Sequence, residues 1–280
     1  MSEQIADAIR FAQQQFELIS DSAKLDAELL LAACLQKPRS YLYSWPEKTL
    51  STDIWLAFQN LIEQRLQSTP VAYLLGYREF YSLQFATSPV ALIPRAETEL
   101  LVETALQLCA GKRQPRILEM GTGTGAIAIA LLHNRADFEL VATDISTDCL
   151  ALARKNAAAH GITLNTIESN WYEQLAGQKP FDLIVCNPPY IAADDPCLQQ
   201  GDLPAEPLLA LTPGQSGLEA IAQIVTGAGD FLQPYGYLLF EHGYDQARAA
   251  AGLLQSAGFK AIRTIVDHNG QARIALGQWR

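Results

Sequence analysis

In the middle of the chain, Gly121-Thr122-Gly123-Thr124-Gly125 separates the apolar run Arg116–Met120 from the helical pattern of residues 126–133. A strand, a glycine turn and a helix in that order make half of a βαβ unit, which is completed only by a parallel neighbouring strand. The neighbours follow. Strand patterns fall at 139–143, 164–168, 181–186, 237–240, 261–266 and 272–277, and helical patterns at 98–110, 147–160, 217–232 and 245–257. The last two strands are joined by the turn His268-Asn269-Gly270, which makes them antiparallel. The expected fold class is therefore α/β: a mostly parallel seven-stranded sheet, covered by helices on both faces, with an antiparallel last strand.

At 280 residues the chain is long enough for about two domains, and the segment before the sheet has a different character. Ile5, Ile9, Ala12, Phe16 and Ile19 share one helical face, as do Leu25, Leu29, Ala32 and Leu35. A third helix is predicted from Asp53, capped by Ser51 or Thr52 and carrying the stripe Trp55, Phe58, Ile62 and Leu66. Lys37-Pro38 and Trp45-Pro46 read as breaks. Beyond residue 70, aromatic and β-branched residues broken by Gly76, Ser88 and Pro89 predict a hairpin. These patterns give a helical domain over 1–72, a hairpin linker over 73–95 and a catalytic domain over 96–280.

Hydrophobic residues make up 49% and charged residues 18%, ample for a core. With 30 acidic against 20 basic side chains the net charge is -10, and no Lys/Arg run offers phosphates a surface, so direct nucleic-acid binding is not expected. Five cysteines without a CxxC pair and four scattered histidines give neither a disulfide framework nor a zinc site. No segment resembles a signal peptide or a membrane span, so a cytoplasmic protein without a metal is expected, and a monomer.

Asp144 stands 23 residues after Gly121, at the end of the next strand. Glycines allow a nucleotide-type cofactor close to the backbone, and the acid can accept hydrogen bonds from two ribose hydroxyls. Gly121, Gly123 and Ala126 also satisfy the dinucleotide spacing, so the loop alone leaves the cofactor open. Glu119, two residues upstream, would repel a pyrophosphate and attract the α-ammonium of S-adenosylmethionine, which favours the sulfonium methyl donor. Trp171 is placed to pack beside the adenine or in the core.

The apolar run Phe181–Cys186 ends in Asn187-Pro188-Pro189-Tyr190, at the same sheet end as the glycine loop. This tetrapeptide suits methyl transfer to a planar NH2 nitrogen. An asparagine oxygen and a proline carbonyl can accept its two hydrogens, two prolines hold the loop extended before substrate arrives, and Tyr190 can stack on the planar group. An exocyclic adenine amine presents the same planar nitrogen, and a methyltransferase acting on adenine in nucleic acid is the alternative.

GTGTG and NPPY occur here with Leu92-Ile93-Pro94-Arg95, Thr98-Glu99, Asn156-Ala157, Glu206-Pro207, Gly217-Leu218, Glu241-His242-Gly243 and a terminal hairpin from Asp267 to Arg273. With these the chain resembles the HemK/PrmC family of protein-glutamine methyltransferases over nearly its whole length. The resemblance implies a Rossmann-like class I S-adenosylmethionine-dependent methyltransferase with a small helical docking domain and a hairpin linker at Arg78-Glu79-Phe80. It implies methylation of the side-chain amide nitrogen of the glutamine in the GGQ motif of bacterial class I peptide-chain release factors, modulating translation termination. Glu119, Gly121, Thr122, Gly123, Thr124, Gly125, Asp144, Trp171 and Asn187 would bind the methyl donor, and Asn187, Pro188, Pro189 and Tyr190 would hold the glutamine, with Asn187, Pro188 and Tyr190 acting in catalysis. Glu119-Met120 stands where the family usually has Asp-Leu.

Three other features stand out. Arg95 is expected to position a ligand or to pair with Glu97 or Glu99, His242 is read as structural, and Asp194 and Asp195 as caps of the next turn. A net charge of -10 would also draw a basic partner surface.

Overall fold

The computed structural model describes residues 3–280, so Met1 and Ser2 of the N-terminal segment lie outside the described residues. The chain divides into two compact units, one running up to Tyr77 and including Gln199–Ala205, the other formed by Arg78–Leu198 and Glu206–Arg280.

The first unit is helical: α1 (Ile5–Phe16), α2 (Ala23–Leu35), α3 (Arg39–Ser44), α4 (Thr52–Leu66) and α5 (Val71–Leu75). Ile5, Ala8, Ala12 and Phe16 of α1 pack with Leu30 and Leu31 of α2 and with Phe58 and Ile62 of α4, as the apolar spacing predicts. Ser51 Oγ accepts the Ile54 N–H at 3.3 Å and caps α4. Two short helices were not foreseen. The segment after Pro38 forms α3 and the segment after Pro70 forms α5, because a proline ahead of the first helical turn has an extended backbone and costs no intrahelical bond. Arg65 on α4 is buried and joins Asp26 of α2 at 3.0 Å and Asp202 at 2.7 Å, which accounts for Gln199–Ala205 packing with the helices.

At the start of the second unit, β1 (Tyr77–Phe80), whose first residue still belongs to the first unit, and β2 (Leu83–Ala86) form the expected hairpin. Its Phe80 and Phe85 are buried in the main core. The rest runs α6 (Glu99–Leu108), β3 (Arg116–Met120), α7 (Ala126–Asn134), β4 (Glu139–Asp144), α8 (Thr147–Ala159), β5 (Asn165–Glu168), β6 (Phe181–Cys186), α9 (Glu219–Gly227), β7 (Leu232–Glu241), α10 (Ala247–Ser256), β8 (Lys260–Val266) and β9 (Ala272–Gln278).

Strands β3 to β9 make one seven-stranded sheet in the order β5-β4-β3-β6-β7-β9-β8, with β9 antiparallel to both its neighbours. Side chains alternate between its faces: Ile117, Leu183 and Leu239 meet α6, α7 and α8, whereas Leu118, Ile184 and Leu238 meet α9 and α10. Helix α9 stops at Gly227, short of the predicted 232, and β7 starts earlier than expected. The chain continues from α9 as a 3-10 turn over Ala228–Asp230. A Cβ on Gly227 would lie 2.5 Å from the Tyr172 ring and one on Gly229 2.5 Å from Trp279, so these glycines admit the two rings. The chain moves outward from β3 to β4 and β5, then returns to place β6 beside β3. That reversal opens a crevice at the carboxyl ends of β3 and β6, where the glycine loop and Asn187 emerge.

Candidate active site

The glycine loop leaves β3 as a turn in which Gly121, Gly123 and Gly125 all have positive φ, at 68°, 54° and 82°. Each glycine does a different job. A Cβ on Gly121 would meet nothing within 4 Å, so the backbone there faces open space, whereas one on Gly125 would lie 2.9 Å from Ile129 and 3.1 Å from Ala153. Asp144, at the end of β4, accepts the Gly123 N–H at 2.9 Å through Oδ2 and the Ser146 N–H at 2.9 Å through Oδ1. Each oxygen keeps a lone pair. Buried Asn156 on α8 adds a clamp, donating to the Thr124 carbonyl at 2.9 Å and the Ala86 carbonyl at 3.1 Å and accepting the Ala86 N–H at 2.9 Å.

Above this loop lies a cavity of about 350 Å³. Gly121, Thr122, Gly123, Thr124, Asp144, Trp171, Asn187 and Pro189 line it, together with Arg95, Thr98, Ile145 and Leu209. Trp171 holds a φ of 49°, unusual for a bulky residue, and its carbonyl accepts the Ser169 hydroxyl at 2.9 Å.

Four predicted residues stand behind the wall. Glu119 is buried; its Oε2 accepts the Thr122 hydroxyl at 2.6 Å, while Oε1 has no partner. Burial pushes this carboxyl up to about 8, against the bond from Thr122. Gly125 and Pro188 are buried, and Tyr190 donates its hydroxyl to Glu241 at 3.0 Å. None of the four lines the cavity. A sequence shows which residues flank a loop, but which of them face a cavity depends on the turns that only the folded backbone takes.

Asn187 donates from Nδ2 to the Thr98 hydroxyl at 3.0 Å, and Thr98 donates to Glu241 at 2.8 Å. Gln246 holds the other end of the tetrapeptide, donating to the Tyr190 carbonyl at 2.9 Å. Arg95 pairs with Glu206, not with Glu97 or Glu99, and Glu206 also accepts the Ile93 N–H at 2.9 Å. His242 is fully buried, with Nδ1 bonded to the Gly243 carbonyl at 2.7 Å and Nε2 without a partner, and burial lowers the ring's pKa. Asp195 accepts the Cys197 N–H at 2.8 Å and so caps the turn Pro196–Gln199.

Residues 7–76 match the family model described as the PrmC N-terminal domain, and residues 96–199 match the methyltransferase small domain. A release factor glutamine methyltransferase from Shewanella oneidensis is 42% identical over 276 residues, covering 98% of this chain and 96% of the relative. The chain belongs to the release factor glutamine methyltransferase family. A second member, from Pseudomonas aeruginosa, is 46% identical over 263 residues, covering 93% of this chain and 94% of that one.

Solved structures extend the likeness of this family member in fold alone. A methyltransferase from Pyrococcus furiosus superposes with a TM-score of 0.52 at 18% identity, covering 79% of this chain and 98% of its own. A T. thermophilus 16S rRNA N2 methyltransferase in complex with AdoMet and guanosine gives 0.52 at 19% identity, covering 73% and 50%.

Thr98, Glu241, Asn156, Glu206 and Gln246 support the family's loops yet were given no role by sequence reasoning. All but Gln246 belong to segments that carry the family resemblance, and Thr98, Asn156, Glu206 and Glu241 are buried polar residues. No spacing rule predicts their partners, because Thr98 meets Asn187 across 89 positions of chain.

Proposed function

We propose that this protein transfers the methyl group of S-adenosylmethionine to the side-chain amide nitrogen of the glutamine in the GGQ motif of bacterial class I release factors. Family membership supports the reaction, and one observation carries it to this site: Asn187 lines the cavity with its NH2 group tied to Thr98, which leaves Oδ1 as an acceptor for a planar NH2 group.

The residues present fit the methyl donor. Asp144 offers lone pairs to two ribose hydroxyls, Gly121 leaves room for close approach to the backbone, and Trp171 supplies a flat apolar surface for adenine. Glu119 stands behind Thr122, its Oε2 accepting that hydroxyl at 2.6 Å; burial keeps this carboxyl protonated in the ligand-free protein, and an α-ammonium group bound nearby would favour its ionised form. When bound, S-adenosylmethionine supplies an electrophilic methyl carbon on a sulfonium leaving group.

The protein's part is orientation. An amide nitrogen is a weak nucleophile because its lone pair is delocalised into the carbonyl. Asn187 Oδ1 would accept an N–H group of the amide and direct its lone pair at the methyl carbon, while Pro189 on the wall shapes the slot for the glutamine side chain and Pro188 and Tyr190 hold the tetrapeptide from behind. Once the N–C bond has formed, the nitrogen sheds one proton to solvent from a hydrogen-bonded position.

The test uses radiolabelled S-adenosylmethionine with purified release factor, a release factor carrying Gln→Ala in its GGQ motif, and duplex DNA. One methyl on the unaltered factor alone is expected. Label on DNA and not on release factor would replace this reading with the adenine alternative.

A further inference from the structure

Asn187 has two faces, a carbonyl and an NH2, and a 180° turn about its last bond exchanges them at almost no steric cost. Only one orientation can accept a substrate N–H. The groups behind Asn187 decide which one occurs.

Glu241 ends β7 and is 1% exposed; its Oε2 accepts from Thr98 at 2.8 Å and its Oε1 from Tyr190 at 3.0 Å. An ionised carboxylate only accepts, so each hydroxyl must direct its single proton toward it. The Thr98 oxygen, 5% exposed and with its proton already committed, can offer Asn187 only a lone pair. An NH2 group satisfies that lone pair at 3.0 Å, whereas a carbonyl turned toward it would place two acceptors in contact. Resting on the function proposed above, we infer that Thr98, its proton held by Glu241, is a positioning residue that locks the Asn187 amide with its oxygen toward the substrate. The direction of every hydrogen bond in the row follows from the carboxylate at its end. Burial pushes the Glu241 carboxyl up, and the hydroxyl donors Thr98 and Tyr190, with the charge of Arg273, pull it back down.

Thr98→Val keeps shape and removes both the donor and the acceptor. In a methylation assay it should lower kcat by at least tenfold while the KM for S-adenosylmethionine stays within about twofold, and Thr98→Ser should restore most of the lost rate. Because Thr98 acts through Asn187, the double variant Thr98→Val/Asn187→Ala should be no more than about twofold slower than Asn187→Ala alone. Multiplying effects would overturn the inference, as would full activity in Thr98→Val. Thermal midpoints of every variant separate loss of fold from loss of orientation. A substrate-free measurement stands beside these: in 15N-labelled protein the Asn187 side-chain NH2 should show slow hydrogen exchange that becomes fast in Thr98→Val and is regained in Thr98→Ser. If the wild-type protein fails to methylate release factor, the proposed function falls while the exchange result still decides the lock. Equal exchange in wild type and Thr98→Val removes the lock whatever the substrate.

Discussion

The backbone N–H of Gly123 donates to Asp144 Oδ2 at 2.9 Å, so the glycine loop after β3 is fastened to the acid that ends β4. Asp144 therefore has two duties: it shapes the loop and, in the proposed function, holds the donor's ribose. Asp144→Asn keeps the size of the side chain but removes its charge and one acceptor oxygen. Two charge-assisted hydrogen bonds at about 1.5–3 kcal/mol each bound the effect, and a loss of about 100-fold in S-adenosylmethionine affinity is expected by calorimetry. The melting temperature should change far less than the affinity.

Gly121 and Gly125 both have positive φ but face different surroundings. Alanine at 125 meets Ile129 and Ala153 besides the backbone strain, and should cost about 3 kcal/mol in denaturant unfolding. Alanine at 121 carries only the backbone term of about 1 kcal/mol, yet its methyl occupies the cavity, so cofactor affinity should fall at least tenfold.

Glu119 makes ligand-free stability depend on pH. Burial holds its folded carboxyl up at about 8 against an ordinary 4.5, so between these values the native state keeps a proton that the unfolded state has lost. Stability must then fall as pH rises through that window, by at most about 1.4 kcal/mol per pH unit from this group. Glu119→Gln removes the titration. Denaturant midpoints measured from about pH 5 to about pH 8 should fall less steeply in the variant than in the wild type.

The hairpin turn between β1 and β2 places Tyr81 and Ser82 at φ of 52° and 61°. Two positive φ values are the signature of a tight turn that suits glycine, yet neither residue is one. Ser82→Gly should raise stability by about 0.5–1 kcal/mol, read from thermal unfolding, with methylation unchanged.

Much of this protein can be read from local pattern. The stretch from Arg116 to Asp144 declares a strand, a glycine turn, a helix and an acid, and the structure places Gly121, Gly123 and Asp144 on one cavity wall as that pattern predicts. Local signals failed where packing overrode them. Position 227 must be glycine because the Tyr172 ring needs the space, and α3 follows a proline that pattern alone marks as a break. Arg95 has glutamates nearby in sequence, but pairs with Glu206, 111 positions away.

The alternation of apolar runs and helical stripes determined the α/β class, the helical first unit and the pairing of a glycine loop with NPPY, because periodicity and turn chemistry act over a few residues. Only the tertiary structure decided that β6 returns beside β3 and so brings Asn187 to the glycine loop. It alone decided that Thr98 and Glu241 stand behind that asparagine. Hydrogen bonds have direction and short reach, so the partner of a buried polar side chain is set by which strands become neighbours, and that is a property of the whole chain.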